Sequence, residues 1–228
     1  MHVPYNDVEA LENAVDETTA LVLIEPIQGE GGVHVGSREF LRAARRRSTA
    51  TGALLAFDEV QTGLGRTGRL FAFEHSGVVP DLLLLAKSLG GGLPIGATVL
   101  TQDVASRFRG SHHSTFGGNP LACAAGSAVL RVLVRDRLAE RAERLGRMAM
   151  RQFGDLASDT VREVRGQGLM IGIECRRPAR PFLAELENRG FLAISAGATV
   201  MRLLPPLVIP EADWEAGIAA VRAVVANG

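Results

Sequence analysis

Lysine is nearly missing from this chain. Of 25 basic residues in 228, one is Lys87 and the other 24 are arginines. Arginine supplies positive charge, but its pKa above about 12 keeps it from losing a proton and attacking a carbonyl. Net charge is missing too: 25 acids balance 25 bases, which argues against nucleic acid or an anionic membrane surface as a partner. Cysteine is scarce. Cys123 and Cys175 lie far apart in apolar stretches, so they are expected to be reduced core residues of a cytoplasmic protein, not a disulfide or metal framework. No apolar run approaches the ~20 residues that a membrane helix needs, and Met1–Asp7 has neither the basic nor the apolar region of a secretory leader. There are no repeats or low-complexity tracts. What is present, 46% hydrophobic and 22% charged residues, is ordinary for a globular chain of one large domain or two small ones.

The order of elements predicts two parts. Residues 20–24 are a short apolar run, as for a strand buried on both faces. Ser37 is placed to cap a helix running to about Thr51, with Phe40, Leu41 and Ala44 inward and Gly52 ending it. Leu54–Phe57 reads as a second buried strand leading into Asp58 and Glu59, and 82–85 and 95–100 read as two more. Strands alternating with helices imply an α/β architecture with a mostly parallel sheet. After Pro120 the pattern changes. A small-residue helix spans 121–134, and a second from about Leu138 aligns Ala142, Leu145, Ala149 and Phe153. Strands are expected at 161–165, 169–174, near 191–194 and at 200–204, with a helix from about Pro181 to Arg189. A last helix after Pro210 aligns Trp214, Ile218, Val221 and Val225 on one face. This second part is α+β. The boundary is set near residue 133, giving domains 1–132 and 133–228.

Three patterns suggest chemistry that their context rejects. Gly63-Leu64-Gly65-Arg66-Thr67-Gly68 matches a dinucleotide fingerprint, with Asp81 near the expected downstream acid. That fingerprint needs a helix opening at its third glycine, and Arg69–Glu74 does not read as one. The apolar strand ending in Asp58-Glu59 resembles a nucleotide hydrolase, but no phosphate loop exists, since Ala86 stands before Lys87. His112-His113 hints at a metal, yet adjacent residues of a strand face opposite ways and no second cluster completes a site. No metal is expected.

One pair survives. Asp58 ends a buried strand, so its carboxylate emerges at the carboxyl edge of the sheet, where open α/β sheets bind ligands. Lys87 lies 29 residues on, just past another apolar strand, and so reaches the same edge. The plain alternatives are a structural ion pair and a lysine codon that escaped a drift toward arginine. The chemical reading gives the two residues opposite ends of one aromatic cofactor. An amine made nucleophilic by a desolvated pocket or a nearby cation condenses with an aldehyde, while the carboxylate keeps a pyridine nitrogen protonated.

Four motifs carry a resemblance. Glu25-Pro26-Ile27-Gln28-Gly29-Glu30-Gly31-Gly32, Asp58-Glu59-Val60-Gln61-Thr62-Gly63, Leu85-Ala86-Lys87-Ser88-Leu89-Gly90-Gly91-Gly92 and Ser114-Thr115-Phe116-Gly117-Gly118-Asn119-Pro120 resemble the class III aminotransferases, nearest to their acetylornithine subgroup. The resemblance implies a fold type I pyridoxal-phosphate enzyme, with residues 1–132 forming part of its large domain and 133–228 its small one. It implies that Lys87 binds the cofactor aldehyde and shuttles a proton, and that Asp58 pairs with the ring nitrogen. Val60 would pack on the ring and Gln61 would bond its phenolic oxygen. Thr115 would reach the phosphate of the neighbouring subunit's cofactor, in a homodimer, with Gly117 and Gly118 allowing close backbone approach there. Glu30 and Arg202, 172 residues apart, would form a switchable ion pair: the glutamate covers the arginine when an amine donor binds and frees it for the carboxylate of glutamate or 2-oxoglutarate. The plainer reading of that pair is a fixed inter-domain salt bridge. The expected reaction is transfer of the terminal amino group of N-acetylornithine, or a similar acylated diamine, to 2-oxoglutarate. The alternatives are the same chemistry in lysine biosynthesis on a carrier-bound substrate, and an inactive truncated fragment of the fold. Arg107 and Arg109 are too few to decide for an acidic carrier. The family's chains begin well upstream, so this one reads as a C-terminal part. It is expected to lack the N-terminal arm, the phosphate-binding loop, the ring-stacking aromatic, the arginine for the α-carboxylate and several strands. The strand edges left open by that loss would favour aggregation.

Overall fold

A computed structural model describes residues 1–110, 114–154, 156 and 159–226; the His112-His113 pair lies outside them. In chain order the first half gives α1 (Val8–Ala14), β1 (Leu21–Ile24), the short strands β2 (Ile27–Gln28) and β3 (His34–Val35), and α2 (Arg38–Thr51). It continues with β4 (Leu54–Asp58), β5 (Leu82–Leu85), β6 (Ala97–Leu100), α3 (Gln102–Arg107) and α4 (Pro120–Arg135). The second half gives α5 (Leu138–Gln152), β7 (Val161–Gln167), β8 (Met170–Cys175), α6 (Arg180–Asn188), β9 (Ile194–Ala196), β10 (Val200–Leu203) and α7 (Glu211–Ala226). The chain divides into two compact units. The first holds Met1–Pro26, Gly36–Leu64 and Phe71–Asp136; the second holds Ile27–Val35, Gly65–Leu70 and Arg137–Gly228. Two segments from the front of the sequence therefore belong to the second unit.

The first unit is built on a sheet of order β1-β4-β5-β6. The first two pairings are parallel, and β6 closes the edge antiparallel to β5. Helix α2 forms because the Ser37 hydroxyl accepts from the Phe40 N–H at 3.1 Å, while Gly52 (φ 79°) ends it. A left-handed C-cap at this position costs glycine little. The helix buries Phe40, Leu41, Ala43 and Ala44. Strand β1 departs from the expectation of burial on both faces: Val22 and Ile24 are buried, whereas Leu21 and Leu23 are exposed. The strand is an edge, and nothing among the described residues covers its outer face. Asp81, the acid a dinucleotide site would direct to a ribose, pairs with Arg45 at 2.8 Å and accepts from the Leu55 N–H at 2.7 Å.

In the second unit four antiparallel strands form a sheet of order β7-β8-β10-β9. Alternation separates its faces. Ile171 and Ile173 of β8 and Met201 and Leu203 of β10 join Leu145, Phe182, Trp214 and Ile218 from α5, α6 and α7 in one core. The indole Nε1–H of Trp214 donates to the Leu145 carbonyl at 3.2 Å. Burying each large aliphatic there stabilises by about 1.5–3 kcal/mol. The opposite face carries the β2–β3 hairpin, which packs Ile27 and Val33 on Met170. Two expectations need correction. Cys123 is exposed on α4, so only Cys175 is a core residue. Strand β9 spans Ile194–Ala196 and so begins only at the last residue of the expected stretch 191–194; before it, Phe191 packs partly on the core and Leu192 is exposed.

Candidate active site

Strands β4 and β5 run side by side with Ala56, Phe57 and Asp58 opposite Leu82, Leu83 and Leu84. Asp58 therefore ends its strand one register step from where β5 ends, and Lys87 follows two residues after Leu85. Both residues leave neighbouring parallel strands at the carboxyl-terminal edge. Asp58 is half-buried, and its Oδ1 accepts from the Val60 N–H at 3.0 Å. That bond ties the carboxylate into the turn carrying Val60 and Gln61, both half-buried. Lys87 opens a 3-10 turn, Lys87–Gly90, with φ 43°. Left-handed backbone is uncommon outside glycine, and residues held in it concentrate at functional sites. The turn is seated against α4: a side chain built on Gly91 would lie 2.8 Å from Val129 Cγ2. Lys87 is exposed, not desolvated, because it stands past the end of the sheet.

Glu59 is the residue that sequence reasoning passed over. Adjacent strand residues face opposite ways, so it turns from Asp58 into the interior and is 1% exposed. Its carboxylate accepts the N–H groups of Ala72 at 2.6 Å and Phe73 at 2.8 Å. Burial nevertheless pushes its carboxyl up to about 7. The signal was available: an acid directly after a buried strand-end acid must face the core. The fingerprint that follows opens no α-helix at Gly68. That glycine instead lets α5 approach, since a side chain there would meet Glu143 Cβ at 2.8 Å. Arg66 donates to the carbonyls of Leu169 at 3.0 Å and Pro205 at 2.6 Å, and burial pulls its guanidinium down to about 10.

Thr115 is exposed in the turn before α4. There the Ser114 hydroxyl accepts from the Gly117 N–H at 3.0 Å, and Asn119 caps the helix on the Ala122 N–H at 2.9 Å. The second unit brings Glu30 and Arg202 together, Nη1 to Oε1 at 2.8 Å. Arg202 on β10 is 3% exposed, whereas the Glu30 side chain is 74% exposed. Both belong to the second unit, so the pair is not an inter-domain bridge.

A family profile described as aminotransferase class-III matches residues 2–225. The chain belongs to the class-III aminotransferases. The resemblance carried by the four motifs is thereby confirmed, as is the fold. This class-III chain is 50% identical over 221 residues to the acetylornithine aminotransferase of Methanopyrus kandleri, covering 96% of this chain and 57% of that one. It is 45% identical over 227 residues to the [LysW]-aminoadipate semialdehyde transaminase of Deinococcus radiodurans, covering 99% and 53%. Among solved structures, the acetylornithine aminotransferase of Elizabethkingia anophelis matches with a TM-score of 0.92 at 37% identity, covering all of this chain and 60% of that one. The ornithine aminotransferase of Toxoplasma gondii, described with partial occupancy of PLP at its active site, matches at 0.91 and 40% identity, covering 98% and 55%. The chain spans about half the length of the curated relatives it matches. No helix among the described residues is long and apolar enough to cross a membrane.

Proposed function

We propose that this class-III chain serves a pyridoxal-phosphate-dependent transamination, in which the terminal amino group of N-acetylornithine or a similar acylated diamine passes to 2-oxoglutarate. The observation that carries the reading is the register of the first sheet, which sends Asp58 and the Lys87 turn to one edge. A carboxylate, a primary amine and the Gln61 amide on the turns at that edge are the donor set that a pyridine nitrogen, an aldehyde and a phenolic oxygen require. These residues fit the cofactor. When bound, pyridoxal phosphate supplies the aldehyde and a sink for the electron pair released at the amine-bearing carbon.

Lys87 would hold the cofactor through its aldehyde and would move a proton at the amine-bearing carbon of the substrate. The Asp58 carboxylate favours a proton on the ring nitrogen, as an anion beside a base does. Val60 would pack on the ring face, and Gln61 would donate to the phenolic oxygen. Arg202 takes the side-chain carboxylate of glutamate or 2-oxoglutarate, and Glu30 covers it while an amine donor is bound. The exposure of Glu30 beside the buried Arg202 supports that exchange. Thr115 serves the phosphate of a second subunit's cofactor in a homodimer. The exposed apolar side chains of Phe116 and Leu121 beside it support a surface that is covered in the active assembly. Both cysteines are free, which supports a reducing, cytoplasmic setting. The similarity to the Deinococcus enzyme favours a second reading, the same transfer on a carrier-bound lysine precursor; profiling amine donors separates the two.

The test uses the scarcity of amines. Pyridoxal phosphate is added, the adduct is reduced with borohydride, and the labelled peptide is mapped. Lys87 is the only lysine, so Lys87→Arg leaves the N-terminal amine as the control. Label on Lys87 that vanishes in Lys87→Arg is the expected result. Label confined to the N-terminus would overturn the proposal.

A further inference from the structure

Three strands of the second sheet set Arg165, Gly172 and Arg202 in one row. Arg165 is the partner of Gly172 across β7 and β8, and Arg202 is its partner across β8 and β10. Directly paired residues of antiparallel strands share a face, so two arginines flank a position with no side chain. That face carries the β2–β3 hairpin, and the turn of the hairpin meets the row at three points. Val33 lies over Gly172, where an added Cβ would stand 2.9 Å from Val33 Cβ. On one side Arg165 Nε donates to the Gly32 carbonyl at 2.9 Å. On the other, Arg202 meets the Glu30 carboxylate at 2.8 Å. The backbone is strained at Val33, whose φ of 58° a β-branched residue rarely adopts, while Gly32 takes φ 118° without that cost.

The two arginines differ in what balances them. Arg165, 9% exposed, sits between Glu163 at 2.9 Å and Glu174 at 2.6 Å, with His34 Nε2 3.5 Å from its Nη2. Arg202 faces a carboxylate that stands largely in water. Of the two carboxylates beside Arg165, Glu163 is 56% exposed and Glu174 only 15%. Parting Arg165 from the buried Glu174 is costly, whereas an exposed carboxylate such as Glu30 exchanges readily for another.

We infer that Arg165 and Gly172 are positioning residues for the Glu30–Arg202 pair. They fix the backbone of residues 30–33, so that exchange of carboxylates at Arg202 is a movement of the Glu30 side chain alone. The locked charge of Arg165 also keeps it from competing for the incoming carboxylate. The inference rests on the proposed function, in which Arg202 receives the distal carboxylate of a dicarboxylate.

Glutarate, a dicarboxylate with nothing to transaminate, is titrated against the full 228-residue chain and against Glu30→Gln, Arg165→Lys and Gly172→Ala. The last two are also combined with Glu30→Gln. Hydrogen exchange of the amides of residues 29–35 is followed in the same samples. Lysine keeps a cation between Glu163 and Glu174 but loses the planar fork that reaches Gly32, and Gly172→Ala lifts Val33. Glu30→Gln is expected to tighten glutarate binding by removing the competitor. Arg165→Lys and Gly172→Ala should each tighten it about three- to tenfold, the effect of releasing one hydrogen bond. Neither should add anything once Glu30 is replaced, and the loop amides should exchange about tenfold faster in both. Equal effects with and without Glu30, or unchanged loop exchange, would overturn the positioning role. If glutarate binds neither the parent chain nor Glu30→Gln, the dicarboxylate reading falls and the gate with it, even where the loop amides respond.

Discussion

Replacing Glu59 by glutamine should remove a specific part of the chain's pH dependence. The folded chain holds the Glu59 proton up to about 7, whereas the ordinary value is 4.5. Between those two values the folded state binds more protons than the unfolded state, so this group's contribution to stability falls as pH rises. It is complete below about 4.5 and gone above about 7. A shift of that size corresponds to at most about 3 kcal/mol. The protonated carboxyl and the amide of glutamine are close in shape, but Ala72 and Phe73 donate to separate oxygens; the hydroxyl oxygen of the acid still accepts, whereas the amide nitrogen cannot. Glu59→Gln should therefore lie about 1–3 kcal/mol below wild type near pH 4.5. The difference should then move in favour of the variant by up to about 3 kcal/mol by pH 8. Urea unfolding at pH 5, 6, 7 and 8 measures both curves. A wild-type-minus-variant difference that stays flat across this range would refute the reasoning, because it would mean that the buried carboxylate is as well solvated by two backbone donors as it is by water.

Other substitutions test the packing and the gate. Gly146→Ala places a Cβ 2.6 Å from the Gly168 Cα and closer still to its carbonyl. It should lower stability by about 1–3 kcal/mol, outweighing the ~1 kcal/mol that alanine adds to a helix interior; a rise in melting temperature would contradict the close approach of α5. Ser48 is buried in α2 with a hydroxyl that finds no hydrogen-bond partner among the described residues. Ser48→Ala should raise stability by about 0.5–1 kcal/mol in the same urea assay, and a loss would reveal a hidden partner. Glu30→Ala should impair the half-reaction with the amine donor far more than that with glutamate, since Arg202 then stays uncovered; equal loss in stopped-flow traces of the two would argue for a fixed salt bridge.

The parts of the fold that were legible are those where a period repeats long enough to be read. The stripe Ala142, Leu145 and Ala149 of α5, the cap at Ser37 with its stop at Gly52, and the apolar strand before Asp58 all appear where their patterns put them. The β2–β3 hairpin was invisible because its strands have two residues each, too few for alternation to register, and because the glycines around Glu30 carry no pattern. Cys123 misled because α4 is apolar nearly all round, which hides the side that faces out. Phe191-Leu192-Ala193 misled because apolar residues next to a strand look like the strand. For the candidate site, the Asp58 and Lys87 edge followed from two strand ends. The row of Arg165, Gly172 and Arg202 did not, because register across three strands cannot be read from any one of them.

The hairpin has a consequence for anyone who cuts this gene. Residues 27–35 lie more than a hundred positions before the sheet they cover, so a fragment beginning at Arg137 would leave Met170 bare and strip Arg165 of its contact with Gly32. Shuffling the C-terminal half between related enzymes as a cassette would break the same fit. Chimaeras should keep the turn and the row from one parent.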